Sequence, residues 1–475
     1  MMESMIKEIG ITFKELEQRI FGFHCNQACE DTKMFLEGYD QYLMDNRDKT
    51  LYRNKGKRQT TIKTVYGEVT FSRTVYEVTD GDGIRRFVYL LDEALKLENV
   101  GLISEHLAEL LVSGITTKSY RSCAREVSEM TGQRISAMGV WNVIQSLGEK
   151  ICEEERQLST RHRKGKVHGS RTTPVLFEEA DGVNLRLQGK DRTQSGNGNA
   201  EMKVAIAYDG WRQTGKDRYL LDGKVVFAGF AGSKEFHRIR EAKIASEYDL
   251  DETKVRLLNG DGAPWIRKVP DRETQFQLDQ FHRNQAIREN IPYEEARQEI
   301  NRYLRQGDLP AMFRYLAIYR DSLADDEEIE KADRLITYLT NNAEGLLPYR
   351  MRIQDMPEAP AGLLYRNMGT MENHIWSIVA SRMKHNHRTW SKRGANHLAK
   401  ILAKKCEGRL YEVTEPLKKV VFEEAKVEDL FTGMSTRAAG RKTGHGYEYP
   451  VRGSIPYIST DLKGNGRWVF DLAGY

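Results

Sequence analysis

The stretch Pro174–Asn184, PVLFEEADGVN, restricts what this chain can fold into more than any other. Val175, Leu176 and Phe177 form a short apolar run that leads into Glu178, Glu179, Asp181 and a glycine. A run too short for a helix face, closed by acids and a turn residue, reads as a buried strand that delivers a carboxylate at its end. The pattern recurs at Val255–Ile266, VRLLNGDGAPWI, where Val255, Leu257 and Leu258 lead into Asp261 and Gly262. A third acid, Glu372 in NMGTMENHIWSIVASRMK, opens a helix-like segment that turns strongly basic. Any one Asp-Gly pair reads first as a turn. An ordered trio of two strand-end aspartates and a helical glutamate suggests a metal-dependent nuclease or transposase core.

With 475 residues the chain has room for two or three domains and a substantial core. Its net charge is only +4, but 30 % of residues are charged and the positive ones are unevenly placed. The five cysteines, Cys25, Cys29, Cys123, Cys152 and Cys406, are too scattered for a disulfide framework, which points to a reducing compartment. Cys25 and Cys29 with His24 could be half a zinc site; with no second pair nearby they read as one helix face. No signal-peptide core or membrane-length apolar run occurs, so a cytoplasmic protein without a membrane partner is expected. There is no GxxxxGK[ST] loop, which argues against an ATP-driven mechanism.

Along the chain, residues 1–50 read as an N-terminal helical segment in which Ile6, Ile9, Phe13, Leu16, Ile20 and Phe23 repeat at three- to four-residue steps. Residues 51–98 read as a small antiparallel β domain, with turn signals at Gly67 and Asp80–Gly83 and a basic leading edge of Arg53, Lys55, Lys57 and Arg58. Residues 99–165 carry three helical stretches, broken at Gly114 and Gly132 and restarted by Ser136, the pattern of a helix-turn-helix region followed by a long helix. Arg121, Arg125, Arg134, Asn142 and Gln145 are its candidates for DNA contact, set against plain three-helix packing.

Residues 166–284 alternate strand and helix. Strands are expected at 174–180, 184–188, 203–208, 225–230, 254–258 and 274–278, with a helix over 234–248. Three antiparallel strands, a helix and two further strands is the order of a ribonuclease-H-like sheet, an α/β fold. In that order the first and fourth strands are neighbours, which brings Asp181 and Asp261 to one cleft. Residues 285–365 read as an all-α insertion, and 366–406 as a core helix with the third acid followed by a basic tract. On that helix Trp376, Val379 and Met383 are expected to share the face of Glu372 and point it at the sheet. From Asn373 to Cys406 there is no acid, while Arg382, Lys384, Arg388, Lys392, Arg393, Lys400, Lys404 and Lys405 are basic and Trp390 and four histidines lie among them. That composition suits a phosphate backbone. Residues 407–475 read as a C-terminal tail, partly disordered.

Three carboxylates in one cleft repel one another unless divalent cations neutralise them, and hard oxygen ligands suit two Mg²⁺ or Mn²⁺ ions. Such a pair activates an attacking oxygen and stabilises the departing 3′-oxygen of a phosphodiester. Asp209 is the main rival for the first aspartate, and Glu178 and Glu179 are lesser ones.

Asp181 in EEADGV, Asp261 in LNGDGAPWI, LDQFH at 278–282, GTMENH…SRMKHNHRTWSKRGANHLAKIL at 369–402 and RNKGKRQTTIKTVYGEVTFSRTVYE at 53–77 resemble bacterial insertion-sequence transposases of the ISLre type. These are DDE enzymes allied to the Mutator-like group, and the resemblance weakens beyond about residue 407. It implies a ribonuclease-H-like catalytic domain with a helical insertion and Asp181, Asp261 and Glu372 as catalytic, metal-binding triad. Asp279 and His282 resemble that group's Cys/Asp-x-x-His signature and are expected to support the site. The basic stretch departs from the pattern in reading MKHNHRTW, where a glycine near the tryptophan is expected. The resemblance further implies element terminal repeats and target DNA as partners, and a homodimer or larger synaptic assembly. A nuclease or junction resolvase on the same fold, and a non-catalytic helix-turn-helix regulator, are the alternatives.

Overall fold

The computed structural model of the chain describes residues 12–79, 83–95, 103–132, 134–267, 274–384 and 388–417. Ile6 and Ile9, the start of the Asp80–Gly83 turn, His385 and His387, and the tail from residue 418 lie outside the described residues. Two compact units are present, one comprising the described residues up to Leu147 with those from Leu410 onward, the other Gly148–Arg409. Among the described residues no helix is long and apolar enough to cross a membrane.

In the first unit, α1 (Phe13–Asn46) starts at a capping box in which Thr12 and Glu15 satisfy each other's backbone N–H groups. It packs on an antiparallel sheet of β1 (Arg53–Lys63), β2 (Glu68–Thr79) and β3 (Arg85–Val88). Buried Asp40 accepts from the Thr74 N–H at 2.9 Å and its hydroxyl at 2.7 Å, fastening helix to sheet. The basic edge is exposed as expected at Arg53, Lys55, Lys57 and Arg58. After the short α2 (Leu90–Leu95) come α3 (Glu105–Ile115), α4 (Tyr120–Thr131) and α5 (Ala137–Arg163), of which the residues up to Leu147 belong to this unit. The α4 stop at Gly132 (φ 66°) and the Ser136 cap, which accepts from the Gly139 N–H at 3.0 Å, lie where the sequence placed them. α3 ends at Ile115, one residue past the expected Gly114, and at Gly114 a Cβ would sit 2.7 Å from the Cys123 sulfur, so the glycine serves close helix packing. Arg121, Arg125, Arg134 and Asn142 are exposed; Gln145 is buried and therefore off the surface assigned to it.

The second unit is built on a five-stranded sheet in the order β10-β9-β4-β5-β8. Its strands are β4 (Val175–Arg186), β5 (Asn199–Tyr208), β8 (Val225–Gly229), β9 (Val255–Gly260) and β10 (Thr274–Leu278), and a separate hairpin of β6 (Gly210–Gly215) and β7 (Arg218–Asp222) precedes β8. The β4–β5 and β5–β8 pairs are antiparallel, β4–β9 and β9–β10 parallel. The expected strands at 174–180 and 184–188 are one strand, with Asp181 inside it rather than at its end. The glycine after it is no turn: Gly182 pairs with Lys203, and a Cβ there would sit 2.3 Å from a Glu201 carboxylate oxygen. Between β4 and β5 the polar loop holds the short α6 (Gly189–Gln194); α7 (Ser233–Glu247) links β8 to β9, followed by α8 (Pro264–Arg267) before β10.

Beneath α7 lies a buried ion network. Arg256 pairs with Glu178 at 2.7 Å and Glu241 at 3.0 Å, and Arg240 with the same two acids at 3.5 and 2.8 Å. Burial works to raise Glu241, but the two guanidiniums prevail and hold it well below the ordinary carboxylate range. The stability this supplies is present above the unfolded carboxylate value and is lost as pH falls through the depressed folded one. Arg256→Met leaves two buried carboxylates on one arginine, and we expect a loss of about 3–5 kcal/mol, measured by urea unfolding at neutral pH. A loss under about 1 kcal/mol would mean that solvent reaches the network.

The all-α segment follows as α9 (Gln280–Asn290), α10 (Glu294–Gln306), α11 (Leu309–Asp321), α12 (Asp326–Asn341) and the short α13 (Tyr349–Arg352). It starts slightly earlier than expected and is continuous with the sheet's core, because Ile300, Leu304, Met312, Leu316, Leu335 and Leu339 cluster with Leu258, Phe276 and Leu278. The chain returns through α14 (Met371–Ile375), a π-turn (Trp376–Ala380) and α15 (Ser381–Met383) to α16 (Lys392–Glu407), which covers β8.

Candidate active site

Strand alternation sorts the side chains of β4 by face. Leu176, Glu178 and Ala180 face α7, where Leu176 clusters with Ile244 and Tyr248, Ala180 clusters with Phe236 and Ile239, and Glu178 meets Arg240. Phe177, Glu179 and Asp181 take the opposite face, with Phe177 against Tyr208, Trp211, Tyr349 and Tyr365. In β9 the same alternation puts Arg256 on the α7 side and Asn259 and Asp261 on the other.

The β4–β9 register ends with Ala180 opposite Gly260, so Asp181, inside β4, and Asp261, the first residue past β9, come next on backbones about 4.8 Å apart. Burial raises the Asp261 carboxyl above its ordinary value and the Asp181 charge adds to this, against the Ala263 N–H that donates to it at 2.8 Å. The turn is braced by the insertion: the Tyr338 hydroxyl donates to the Asp261 carbonyl at 2.9 Å, and Gly262 (φ +86°) has no space for a Cβ beside the Asn342 amide.

His282 places Nε2 3.7 Å from an Asp181 carboxylate oxygen, an ion-pair distance. That contact is the largest reason its imidazole lies above the ordinary value, with desolvation opposing and Asp279 and Asp261 adding to the rise. Asp279 caps α9, accepting from the Phe281 N–H at 2.8 Å and the His282 N–H at 3.3 Å, and so sets where His282 starts. Asn259 in turn donates to Asp279 at 2.6 Å and to Glu179 at 3.3 Å.

Glu179 is the residue whose role the sequence concealed. It is fully buried and accepts from the Tyr208 hydroxyl at 2.6 Å, the Gly369 and Thr370 N–H groups at 3.0 and 2.9 Å, and the Thr370 hydroxyl at 2.7 Å. Burial raises its carboxyl and these donors oppose the rise. Glu179 thus ties β4, two residues before Asp181, to the segment that opens the helix of Glu372. Of the signals in the sequence, only its period-two spacing from Asp181 marks it, and Asn259 has the same spacing from Asp261.

Glu372 lies on α14, which packs against β4 and β5, but its own side chain is exposed, as is Trp376, while Val379 and Met383 are buried. The expected common face is broken by the π-turn, whose extra residue per turn rotates everything after it. Among the described residues no three His, Cys, Asp or Glu side chains lie as a group at metal-holding distance. The structure therefore brings Asp181, Asp261, His282 and Asp279 together and sets Glu372 at the exposed start of the adjoining helix. Asp181 and Asp261 are hard oxygen donors whose charges disfavour each other, a donor set that fits a divalent cation.

The rivals have structural partners. Glu178 is in the ion network on the opposite face. Asp209 follows Tyr208, which pairs with Phe177 at the far end of β4, and Arg171 binds it at 2.7 Å. Of the basic tract, Lys384, Lys392 and Arg393 are exposed and Arg388 is half-buried, donating to the Arg382 carbonyl. Arg382 and Trp390, expected to touch DNA, are buried instead: the guanidinium sits 5.3 Å from the indole centroid, and the indole N–H donates to the Met383 carbonyl at 2.8 Å. An aromatic among cations is legible in sequence, but whether it stacks outward or anchors the turn depends on packing.

No curated protein matches the chain. A family model matches residues 6–419, which span every described residue, and the protein belongs to the Uncharacterised protein family UPF0236.

Proposed function

We propose that this protein is a DDE transposase of the ISLre type, which binds insertion-sequence ends and carries out DNA strand cleavage and strand transfer. The observation that carries the reading is the emergence of Asp181 and Asp261 side by side from parallel strands, on the face where buried Glu179 holds the start of the Glu372 helix. Three antiparallel strands followed by two parallel ones support a ribonuclease-H-like core, and α3–α5 with exposed Arg121, Arg125, Arg134 and Asn142 support helix-turn-helix recognition of double-stranded DNA.

In this reading Asp181 and Asp261, with Glu372 from the adjoining helix, would hold two Mg²⁺ or Mn²⁺ ions, which would neutralise the acids and supply Lewis-acid stabilisation of the attacking and departing oxygens. Carboxylates repel a phosphodiester, so the part of the acids is to hold the cations beside which in-line attack would run: water or a free 3′-hydroxyl forms a bond to phosphorus as the bond to the bridging 3′-oxygen breaks. His282 and Asp279 hold Asp181 in place, and Lys384, Arg388, Lys392 and Arg393 bind flanking phosphates. A homodimer or larger synaptic assembly, acting on the nucleoid in the cytoplasm, completes the proposal.

A plasmid carrying the gene's own flanking sequences tests it. With Mg²⁺ we expect cleavage at the element ends and joining of a pre-cleaved end to target DNA. Cleavage without joining would make the protein a nuclease or resolvase, and binding without divalent-dependent cleavage would make it a regulator.

A further inference from the structure

The same end of the sheet carries a second feature, two strands from the acid pair. A cavity of about 290 Å³ opens where β8 ends, walled by Phe227, Phe230, Ile239 of α7, Arg156 of α5, and Lys392 and Arg393 of α16. Its position follows from register. Gly229, the last residue of β8, pairs with Lys203, and Lys203 pairs with Gly182, the residue after Asp181. Two inter-strand spacings, roughly 10 Å, separate the backbone at Gly229 from that at Gly182. The cavity lies on the α7 face and the acid side chains on the other, so a strand joining them passes over this end of the sheet. An unstacked DNA strand covers that distance in very few nucleotides.

The cavity combines aromatic walls with cations of two kinds. Lys400, buried at its base, lies 3.7 Å from the Phe227 ring centroid and pairs with Glu155 at 2.7 Å, so its charge is balanced within the fold. Lys392 is exposed at the rim, 5.8 Å from the Phe230 centroid, and makes no salt bridge among the described residues. The half-buried Phe230 is held by its backbone, whose N–H donates to the Asn396 side chain at 3.1 Å. Gly229 permits this, since a Cβ there would lie 2.9 Å from the Asn396 oxygen and 3.0 Å from Lys400 Nζ. An anion alone would need no aromatic wall, and an apolar ligand no cationic rim. A nucleotide needs both, a ring face for its base and a cation for its phosphate.

We propose that this cavity takes the unpaired base of a nucleotide flanking the cleaved phosphodiester, stacked on Phe230, with Lys392 on its phosphate. The inference rests on the reading of the acid pair as a DNA-cleaving site and adds to it a preference for locally opened DNA ends.

Full-length protein in EDTA is titrated by anisotropy with a fluorescein-labelled duplex, either blunt or carrying an unpaired thymidine tail. The tailed duplex is expected to bind about tenfold more tightly, the scale of one base–aromatic stack. Phe230→Ala should abolish the preference and Phe230→Tyr keep it, with thermal melting confirming that both fold. Replacing the tail bases by abasic sites should abolish it in the unaltered protein, independently of folding. Equal affinity for blunt and tailed duplexes, or a preference that survives abasic substitution, overturns the proposal while leaving DNA cleavage standing. No binding of either duplex together with no divalent-dependent plasmid cleavage would remove the parent reading, and this inference with it.

Discussion

Asp261→Asn abolishes divalent-dependent DNA cleavage, by roughly 10³-fold or more as for other essential catalytic groups, while raising the melting temperature of the metal-free protein. The two effects have one origin. Asp261 is raised by burial and by the Asp181 charge beside it, so without a cation its ionised form is held against both. A carboxyl raised in the folded state contributes stability that is fully present below its unfolded value and is lost as pH rises through the folded one. At neutral pH the metal-free protein has lost that contribution, and a neutral amide restores it. A gain of about 1 kcal/mol corresponds to roughly 2–4 °C in a unit of this size. Added Mg²⁺ should raise the melting temperature of the unaltered protein and leave that of the variant nearly unchanged, as read by scanning calorimetry with and without EDTA. An Asn variant that cuts plasmid normally would remove Asp261 from the catalytic set. One that neither gains stability in EDTA nor loses its Mg²⁺ response would show that the two acids do not share an ion.

The two aspartates were legible because the signal that marks them is local. An apolar run closed by an acid survives even when the strand boundary is misjudged, as it is at Asp181, where β4 continues through Gly182 in register with Lys203. The neighbouring of β4 and β9 followed from strand order, and the boundaries of α4 and α5 from Gly132 and Ser136. What the sequence concealed depended on partners remote in the chain. Glu178 and Glu179 are adjacent and identical in type, yet one meets Arg240 and Arg256 while the other meets Thr370, a distinction set by which helix covers which face. The separation of Val379 and Met383 from the face of Glu372 and Trp376 comes from one extra residue in a π-turn, which leaves no trace in a 3.6-residue pattern. Composition assigned Arg382 and Trp390 to the surface, but both are buried, with the guanidinium over the indole.

Glu179→Ala should be the most destabilising single change at the site, and Glu179→Gln the most informative. Alanine strands the Gly369 and Thr370 N–H groups and the Tyr208 hydroxyl in a buried place, and unsatisfied donors cost about 1–3 kcal/mol each. A total on the order of 3–5 kcal/mol is expected, since the loop can relax toward water. Glutamine keeps the shape: with its oxygen toward the Asn259, Gly369 and Thr370 N–H groups its NH₂ faces the Tyr208 and Thr370 hydroxyls, which must turn from donating to accepting, and every one of these bonds loses the acceptor's charge. Gly369, at φ +115°, and Thr370 then lose part of what holds the start of the Glu372 helix against β4. The expected result for Glu179→Gln is a folded protein that binds DNA as before but needs more Mg²⁺ to cleave it, with a rate lowered about 10–100-fold, as for lost outer-shell partners of metal sites. The pH response carries an independent sign. Glu179 is itself raised by burial, so its stabilising contribution disappears as pH rises through the folded value, and the glutamine variant should melt with a flatter dependence on pH across that range. A merely structural glutamate would lower stability without moving the Mg²⁺ requirement. If cleavage by the glutamine variant saturates at the same Mg²⁺ concentration as the unaltered protein, Glu179 does not position Glu372, and the third acid must be held by other contacts.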